Sequence, residues 1–426
     1  MKVLVVGGGA REHAIVWRLT QNPTIDRLFA TPGNAGIARD ARCVAIAADD
    51  VPAILDLVER ERIDLTVIGP EGPLVAGLAD ELDARGNLVF GPTRAAARIE
   101  GSKAWAKRLC ERHGVPVARS RTVGSMPEAL AALEEFEPPY VVKADGLAAG
   151  KGVVIAEHRD DAVAALSAAL EHDVFGSAGS TVLIEEFLEG REVSAFALSD
   201  GRDILPLAFA QDFKRVGEGD TGPNTGGMGA YSPVSFVDDE TADRISYDVL
   251  VRTVRGMQAD GVPYRGVLYA GMMLTADGPK VLEFNARFGD PEAQVVIPRL
   301  GSDLAELFLA CAEGNLGLYK ANLSTQSCVT VVLASGGYPQ EYETGFEIAG
   351  LEEAERVDGA LVFHAGTAER RGRVVTSGGR VLSVGAIGDD LAEARSRAYE
   401  ACSSISFEGM QYRRDIAALA SEAEGR

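Results

Sequence analysis

The sequence predicts an α/β protein: an N-terminal doubly wound parallel sheet, a mixed α+β middle and a small mixed α/β domain at the C-terminal end. Three observations carry this. The first hundred residues alternate short apolar strands with helical stretches, and nearly every strand runs into Gly or Pro, the pattern of a parallel sheet covered on both faces. The middle holds long apolar runs joined by short turns, as in antiparallel strands. At 426 residues the chain exceeds what one hydrophobic core organises, so two to four domains are expected.

Taken in order, KVLVVGG is a buried strand that runs into a glycine turn; it is too short in its apolar part for a secretory leader. EHAIVWRLTQ reads as a helix, RLFATPG and CVAIA as strands, VPAILDLVERER as a helix, and LTVIGP and LVFGP as the last strands of the sheet. In such sheets ligands sit at the carboxyl ends of the strands, where the glycine turns lie. A helix, RAAARIEGSKAWAKRLCERHG, leads away to Gly114. Strands and helices alternate through STVLIEEFL, followed by two antiparallel strands, REVSAFALSDG and DILPLAFAQDF. KRVGEGDTGPNTGGMGAYSP reads as a long loop, ETADRISYDVLVRTVRGMQADG as a helix, and GVLYAGMML and KVLEFNARF as strands turning at Asp277-Gly278. The last hundred residues hold short strands and one helix, DLAEARSRAYEACSSI. The expected division is 1–100, 101–322 and 323–426.

With 46% hydrophobic and 25% charged residues, the composition is that of an ordinary globular protein. A net charge of −21 argues against a general binder of nucleic acid or anionic membrane. No apolar run reaches the roughly 20 residues that span a bilayer, and the cytoplasm is the expected compartment. Cys43, Cys110, Cys311, Cys328 and Cys402 are scattered, without a CxxC pair, and read as reduced thiols. His13, His113, His158, His172 and His364 are dispersed, and neither GxSxG nor HExxH occurs. A histidine metal site or Ser–His–Asp triad therefore has little support. Only 8 of the 42 basic residues are lysine, yet Lys103, Lys107, Lys143, Lys151 and Lys214 all fall in or beside motifs.

Residues 140–155, YVVKADGLAAGKGVVI, put Lys143 on an apolar strand and Lys151 in a glycine loop. A Walker loop needs four residues between its glycines and then opens a helix. Here Gly146 and Gly150 have three between them, and a second strand follows. In VLEFNARFGDPE, Glu283 and Asn285 are two apart on a strand and share a face. They suit Mg²⁺, which takes hard oxygens and keeps phosphate oxygens as further ligands; the alternative is a solvated strand edge. Arg287 could clamp a phosphate or an acyl phosphate. In IEEFLEGREVS the backbone of Glu186 to Leu188 could meet an adenine edge and Glu192 the ribose hydroxyls, or the acids could be a solvated corner. GDTGPNTGGMG exposes backbone N–H groups able to line an anion or small zwitterion, with Asp212 and Lys214 just before it. GGGAREH departs from the dinucleotide fingerprint at Glu12, where a glycine belongs, which weakens a dehydrogenase reading. A phosphate at that helix N-terminus remains open, as do roles for TPGNAG and for Glu71 in GPEGPL.

In this order, the lysine strand with its glycine loop, EEFLEG, the DFKR loop and EFNARFGDPE closely resemble the ATP-grasp ligases, and within them the phosphoribosylamine–glycine ligase (glycinamide ribonucleotide synthetase) family. The likeness runs nearly end to end, with TGPNTGGMGAYSP and EFNARFGDPE its most specific stretches. It implies a two-part central ATP-grasp domain whose mobile lid subdomain spans about 118–190. It further implies a reaction joining glycine to 5-phosphoribosylamine through glycyl phosphate, in a monomer or weak homodimer. ATP would be bound by Lys103, Lys143, Gly150, Glu185, Glu186, Leu188, Glu192 and Lys214. Mg²⁺, with Mn²⁺ as a substitute, would be bound by Glu283 and Asn285. The substrates would meet Gly8, Gly9, Gly33, Asn34, Glu71, Asn224, Thr225, Gly226, Gly227, Arg287 and Asp290. Lys143, Lys214, Arg287 and Asp212 would serve the chemistry, with Asp212 or Asp290 orienting or deprotonating an amine. The sequence departs from the family's pattern at Gly72, Phe213 and Ala286, and VLYAGMML lacks the extra acid that many ATP-grasp enzymes carry.

Overall fold

A computed structural model describes residues 1–146, 152–172 and 180–424. Strands β1 (Lys2–Gly7), β2 (Arg27–Pro32), β3 (Arg42–Cys43), β4 (Leu65–Ile68) and β5 (Leu88–Phe90) form one parallel sheet in the order β3-β2-β1-β4-β5. Val3 to Val6 of its central strand are fully buried, because helices cover both faces and leave no side for polar residues. The strand order reverses between β1 and β4, which puts the turns after Gly7 and Ile68 at the switch-point crevice. The expected strand CVAIA pairs only at Arg42–Cys43. Beyond it the Thr31 hydroxyl donates to the Ile46 carbonyl at 2.7 Å and leads the chain off the sheet.

The helix expected over 94–113 is two helices, Arg94–Gly101 and Lys103–His113. Ser102 is extended between them, and its Oγ accepts from Trp105 N at 3.1 Å as an N-cap. It also donates to Asp145 at 3.0 Å, tying the second helix to the turn after Lys143's strand. Next come β6 (Ser120–Val123), β7 (Tyr140–Ala144), β8 (Val153–Ala156) and β9 (Val182–Glu186), an antiparallel sheet in the order β6-β9-β7-β8. Two helices close it over a small core of its own that includes Leu133, Phe136, Leu166 and Ile184.

The chain continues through β10 (Arg191–Asp200), β11 (Ile204–Pro206), β12 (Gln211–Asp212), β13 (Arg215–Gly217), β14 (Thr221–Asn224), β15 (Gly229–Ser232), β16 (Arg265–Thr275) and β17 (Gly278–Asn285). Of these, β11-β10-β16-β17 make a second antiparallel sheet. The expected long glycine loop is in fact ordered: β13 and β14 pair as a hairpin, and β15 is a buried strand. Alternating Gly, Thr and Asn give no apolar period to read, so pairing here is set by tertiary contacts. The C-terminal strands are β18 (Ser327–Ala334), β19 (Ala360–His364), β20 (Thr367–Arg370), β21 (Arg373–Thr376) and β22 (Arg380–Gly388). The last sheet, β12-β15-β18-β22-β19, combines two strands of the central region with three of these. Among the described residues no helix is long and apolar enough to cross a membrane.

Candidate active site

A cavity of about 910 Å³ lies where the β6-β9-β7-β8 sheet faces β16 and β17. The first domain contributes Arg11 and Glu71 to its wall, and the C-terminal region contributes Arg380. A second, open cleft of about 510 Å³ beside Glu341, Glu343 and Glu408 offers no lysine or arginine.

One wall is a lysine array. Lys143, on β7, reaches the Leu282 carbonyl at 3.0 Å and the Glu185 carboxylate at 2.8 Å. The other oxygen of Glu185 takes Lys107 at 2.8 Å. Burial opposes the charge on Glu185, but Lys143 and Lys107 outweigh it and hold this carboxyl below the usual range. Lys103 donates to the Gly146 carbonyl at 3.0 Å, and burial pulls its pKa down against the attraction of Glu283. Glu185 is thus the anchor of two lysines. Gly150 and Lys151, assigned to the same loop, lie outside the described residues.

The facing wall is β17. Gly271 pairs with Glu283 and Met272 with Val281, so Leu282 is bulged out, as strands often are beside sites. That bulge frees the Leu282 carbonyl for Lys143 and turns Glu283 and Asn285 into the cavity. Burial would raise the pKa of Glu283, but Lys214, Lys143 and Lys103 together hold it low. An ionised carboxylate beside an amide oxygen suits a divalent cation that draws its remaining ligands from phosphate and water. Among the described residues no cluster of three or more His, Cys, Asp or Glu offers a complete cage. Lys214 pairs with Glu192 at 2.6 Å. Burial disfavours its charge, yet Asp212, Glu192 and Glu283 raise its pKa well above the usual value. Burial, with Glu292 and Glu192 adding to it, pushes Asp212 up to about 7 against the pull of Lys214. Glu186 and Leu188 also line the cavity, with Glu186 accepting from Arg119 N at 2.9 Å.

The third wall lies at the switch point. β17 ends at Asn285, yet Arg287 still faces the cavity, fixed by Glu71 at 3.2 Å and Glu100 at 3.0 Å. Asp290 accepts from Gln294 at 2.8 Å and sits 3.4 Å from Arg380. Burial opposes its charge, but Arg380 and Arg11 hold its pKa low. Thr225 N and Oγ1 donate to the Lys214 carbonyl at 2.7 and 2.9 Å, which presents Asn224, Thr225 and Gly226 to the cavity. Gly227 lies just behind, at φ 107, where a Cβ would come within 2.4 Å of Pro291. Gly8, Gly9, Gly33 and Asn34 form turns beside the cavity and do not line it. A Cβ on Gly9 would lie 3.4 Å from Asp290. Asn34 is a brace: its amide donates to the Gly8 carbonyl at 2.9 Å and the His364 carbonyl at 2.7 Å. Glu12, the break in the fingerprint, fills the space under Gly7 and Gly69 and accepts from Gly9 N at 2.7 Å. It caps the turn from within.

Several charged or polar residues line the cavity without having been expected there, among them Arg11, Glu100, Asp220, Tyr269, Glu292 and Arg380. Lys107 follows Lys103 by one helical turn, a spacing that puts both on one face. Glu292 closes the GDPE run and accepts from Tyr269 at 2.7 Å and Ser194 at 3.2 Å. Arg380 arrives from β22 and carries no local signal.

Three consecutive family models match the chain: Phosphoribosylglycinamide synthetase N domain over residues 1–100, ATP-grasp (A) domain over 101–293, and C domain over 328–419. A phosphoribosylamine–glycine ligase of Salmonella typhimurium is 49% identical over 428 residues, covering all of both chains. That of Vibrio vulnificus is 48% identical, covering 98% of this chain and 97% of its own. The crystal structure of the Thermotoga maritima phosphoribosylamine–glycine ligase superposes with a TM-score of 0.87 at 37% identity, over 98% of this chain and 100% of that one. The biotin carboxylase domain of a Hydrogenobacter thermophilus carboxylase shares the fold alone, with a TM-score of 0.76 at 18% identity. A lysine array facing an acid–amide pair across one cavity, on a fold matched from end to end, makes this chain a member of the phosphoribosylamine–glycine ligase family of ATP-grasp enzymes.

Proposed function

We propose that the chain joins glycine to 5-phosphoribosylamine, with ATP giving ADP and phosphate, by way of glycyl phosphate. The observation that carries this is the convergence of Lys103, Lys143, Lys214, Glu283, Asn285 and the TGPNTGG backbone on one cavity. A carboxylate is a poor electrophile. Its oxygen attacks the γ-phosphorus, the bond to the ADP oxygen breaks, and an acyl phosphate forms. The amine nitrogen then attacks the acyl carbon, the carbon–oxygen bond to phosphate breaks, and the nitrogen loses a proton to leave the amide. In this reading the three lysines neutralise phosphate charge, Glu186 to Leu188 and Glu192 face adenosine, and Arg287 and Asp290 face the reacting groups. Asp212, poised near neutrality, takes the proton. A divalent cation, Mg²⁺ or Mn²⁺ in its place, would be held by Glu283 and Asn285 and would offset charge on the transferring phosphate. The chain's own contribution is positioning and keeping water from the acyl phosphate. The reading includes domain limits at 100 and 322, a lid at about 118–190, a cytoplasmic setting and a monomer or weak homodimer.

The test is ADP release with ATP, Mg²⁺, glycine and phosphoribosylamine freshly formed from ribose 5-phosphate and ammonia, omitting one at a time. Release that requires both substrates and yields the amide supports the proposal. Release indifferent to glycine would point to another carboxylate and overturn it.

A further inference from the structure

The hairpin β13–β14 stands apart from the main sheets. It is a two-stranded sheet of its own, and every residue of its outer strand is exposed. Nothing in so small an element is stable alone, yet its base carries Lys214 on one side and Asn224 to Gly226 on the other. What holds it is a segment near the C-terminal end of the chain, about two hundred residues away. Arg413 is 1% exposed. Its Nε and Nη2 grip both oxygens of Asp415, at 2.8 and 2.6 Å. Its Nη1 donates to Asp220 Oδ1 at 2.7 Å and to the Arg215 carbonyl at 3.1 Å. Asp415 in turn accepts from Gly219 N at 2.8 Å, and Arg414 N donates to Glu218 at 3.1 Å. The Phe213 ring lies 5.0 Å beneath the guanidinium. The first strand, at Arg215, and the tip, from Glu218 to Asp220, are therefore fixed by three consecutive C-terminal residues.

We propose that Arg413 is a positioning residue: with Asp415 it clamps the hairpin so that Lys214 and Asn224–Gly226 form a rigid wall of the cavity. The inference rests on the assignment of that wall to the substrates. Arg413 touches no substrate itself, and it places groups that do. Its planar, two-pronged contact is one that lysine cannot reproduce. A loosened hairpin lets those groups drift, and an ångström of misplacement is costly in a site that works by positioning.

The test uses the full chain with Asp220→Gly, Asp220→Glu, Arg413→Lys and Lys214→Ala. Asp220 has φ 54 and a side chain 66% exposed, so Gly accepts its backbone and the variant folds even if Arg413→Lys does not. Asp220→Gly is expected to lower kcat/KM for glycine and phosphoribosylamine about tenfold or more. Asp220→Glu, which restores a carboxylate, should recover most of that loss. Folded Asp220→Gly and Arg413→Lys enzymes with wild-type kcat/KM, alongside an impaired Lys214→Ala enzyme, would overturn the clamp alone. Normal turnover by Lys214→Ala would remove the site assignment beneath it, and the clamp with it. A loss in Asp220→Gly that Asp220→Glu does not recover would mark general loosening and also overturn the clamp.

Discussion

Glu283 faces the cavity with the charges of Lys214, Lys143 and Lys103 around it, and they hold it ionised against burial. A carboxylate so placed answers to whatever positive charge the lysines and a cation supply together. Glu283→Gln keeps the shape and removes the charge, so loss of activity without loss of fold is expected. We predict a kcat lower by roughly a hundredfold or more, with the Mg²⁺ dependence moved to higher concentration. Turnover near wild type would show that the β17 pair does not hold the cation. Glu185 behaves differently: it is 3% exposed and bridges Lys143 and Lys107. Glu185→Ala strands two buried ammonium groups and should cost about 3–5 kcal/mol of stability. A denaturation midpoint unchanged from wild type would refute that.

At the level of single elements, the strands are the easiest to read, because both faces of a parallel sheet are apolar and β7, β8 and β9 keep short apolar runs. The acid–amide pair on β17 was legible from a spacing of two, while the bulge at Leu282 was not, since it depends on its register against β16. Ser102 is a second case. Its amphipathic surroundings read as one helix, yet Ser after Gly is a start signal, and the chain obeys the cap. Because Ser102 also holds Asp145, the break fixes Lys103 over the turn that follows Lys143. Ser102→Ala should therefore lower stability by about 1 kcal/mol and raise KM for ATP several-fold. If KM is unmoved while stability falls, the cap serves only the helix. Arg380, Arg413 and Glu100 escaped notice for another reason: each is brought to its place by residues far off in sequence, which no local pattern encodes.

On the scale of the molecule, the first and last regions are sewn together behind the cavity. His13, on the helix Ala10–Leu19, accepts from His364 N at 2.8 Å, and Asn34 donates to the His364 carbonyl. Arg39 pairs with Glu355 across the same seam. Burial lowers the pKa of His13 to about 3, with the charges of His364 and Arg39 adding to it. Burial and Arg39 lower that of His364 to about 4, against the opposing pull of Glu355. In the folded protein both rings stay neutral through mildly acid conditions; in the unfolded chain each takes a proton below about pH 6.5. The unfolded state then binds more protons, so stability falls as pH falls from about 6.5 towards the folded values. At pH 5 the loss should be roughly 2 kcal/mol for each histidine. Glu185, Glu283 and Asp290, held low by lysine and arginine, lose their contribution only below about pH 4.5. Burial instead raises the pKa of Asp212 and Glu100, whose protonation on acidification works against the histidine loss in the same window. Melting temperature measured from pH 7.5 to 5 should thus carry the loss from both histidines in the wild type, offset in part by Asp212 and Glu100. In His13→Asn, whose amide oxygen can still accept from His364 N, it should start lower and fall less steeply, by the share of one histidine. Equal slopes in the two proteins would place the acid sensitivity elsewhere than at this seam.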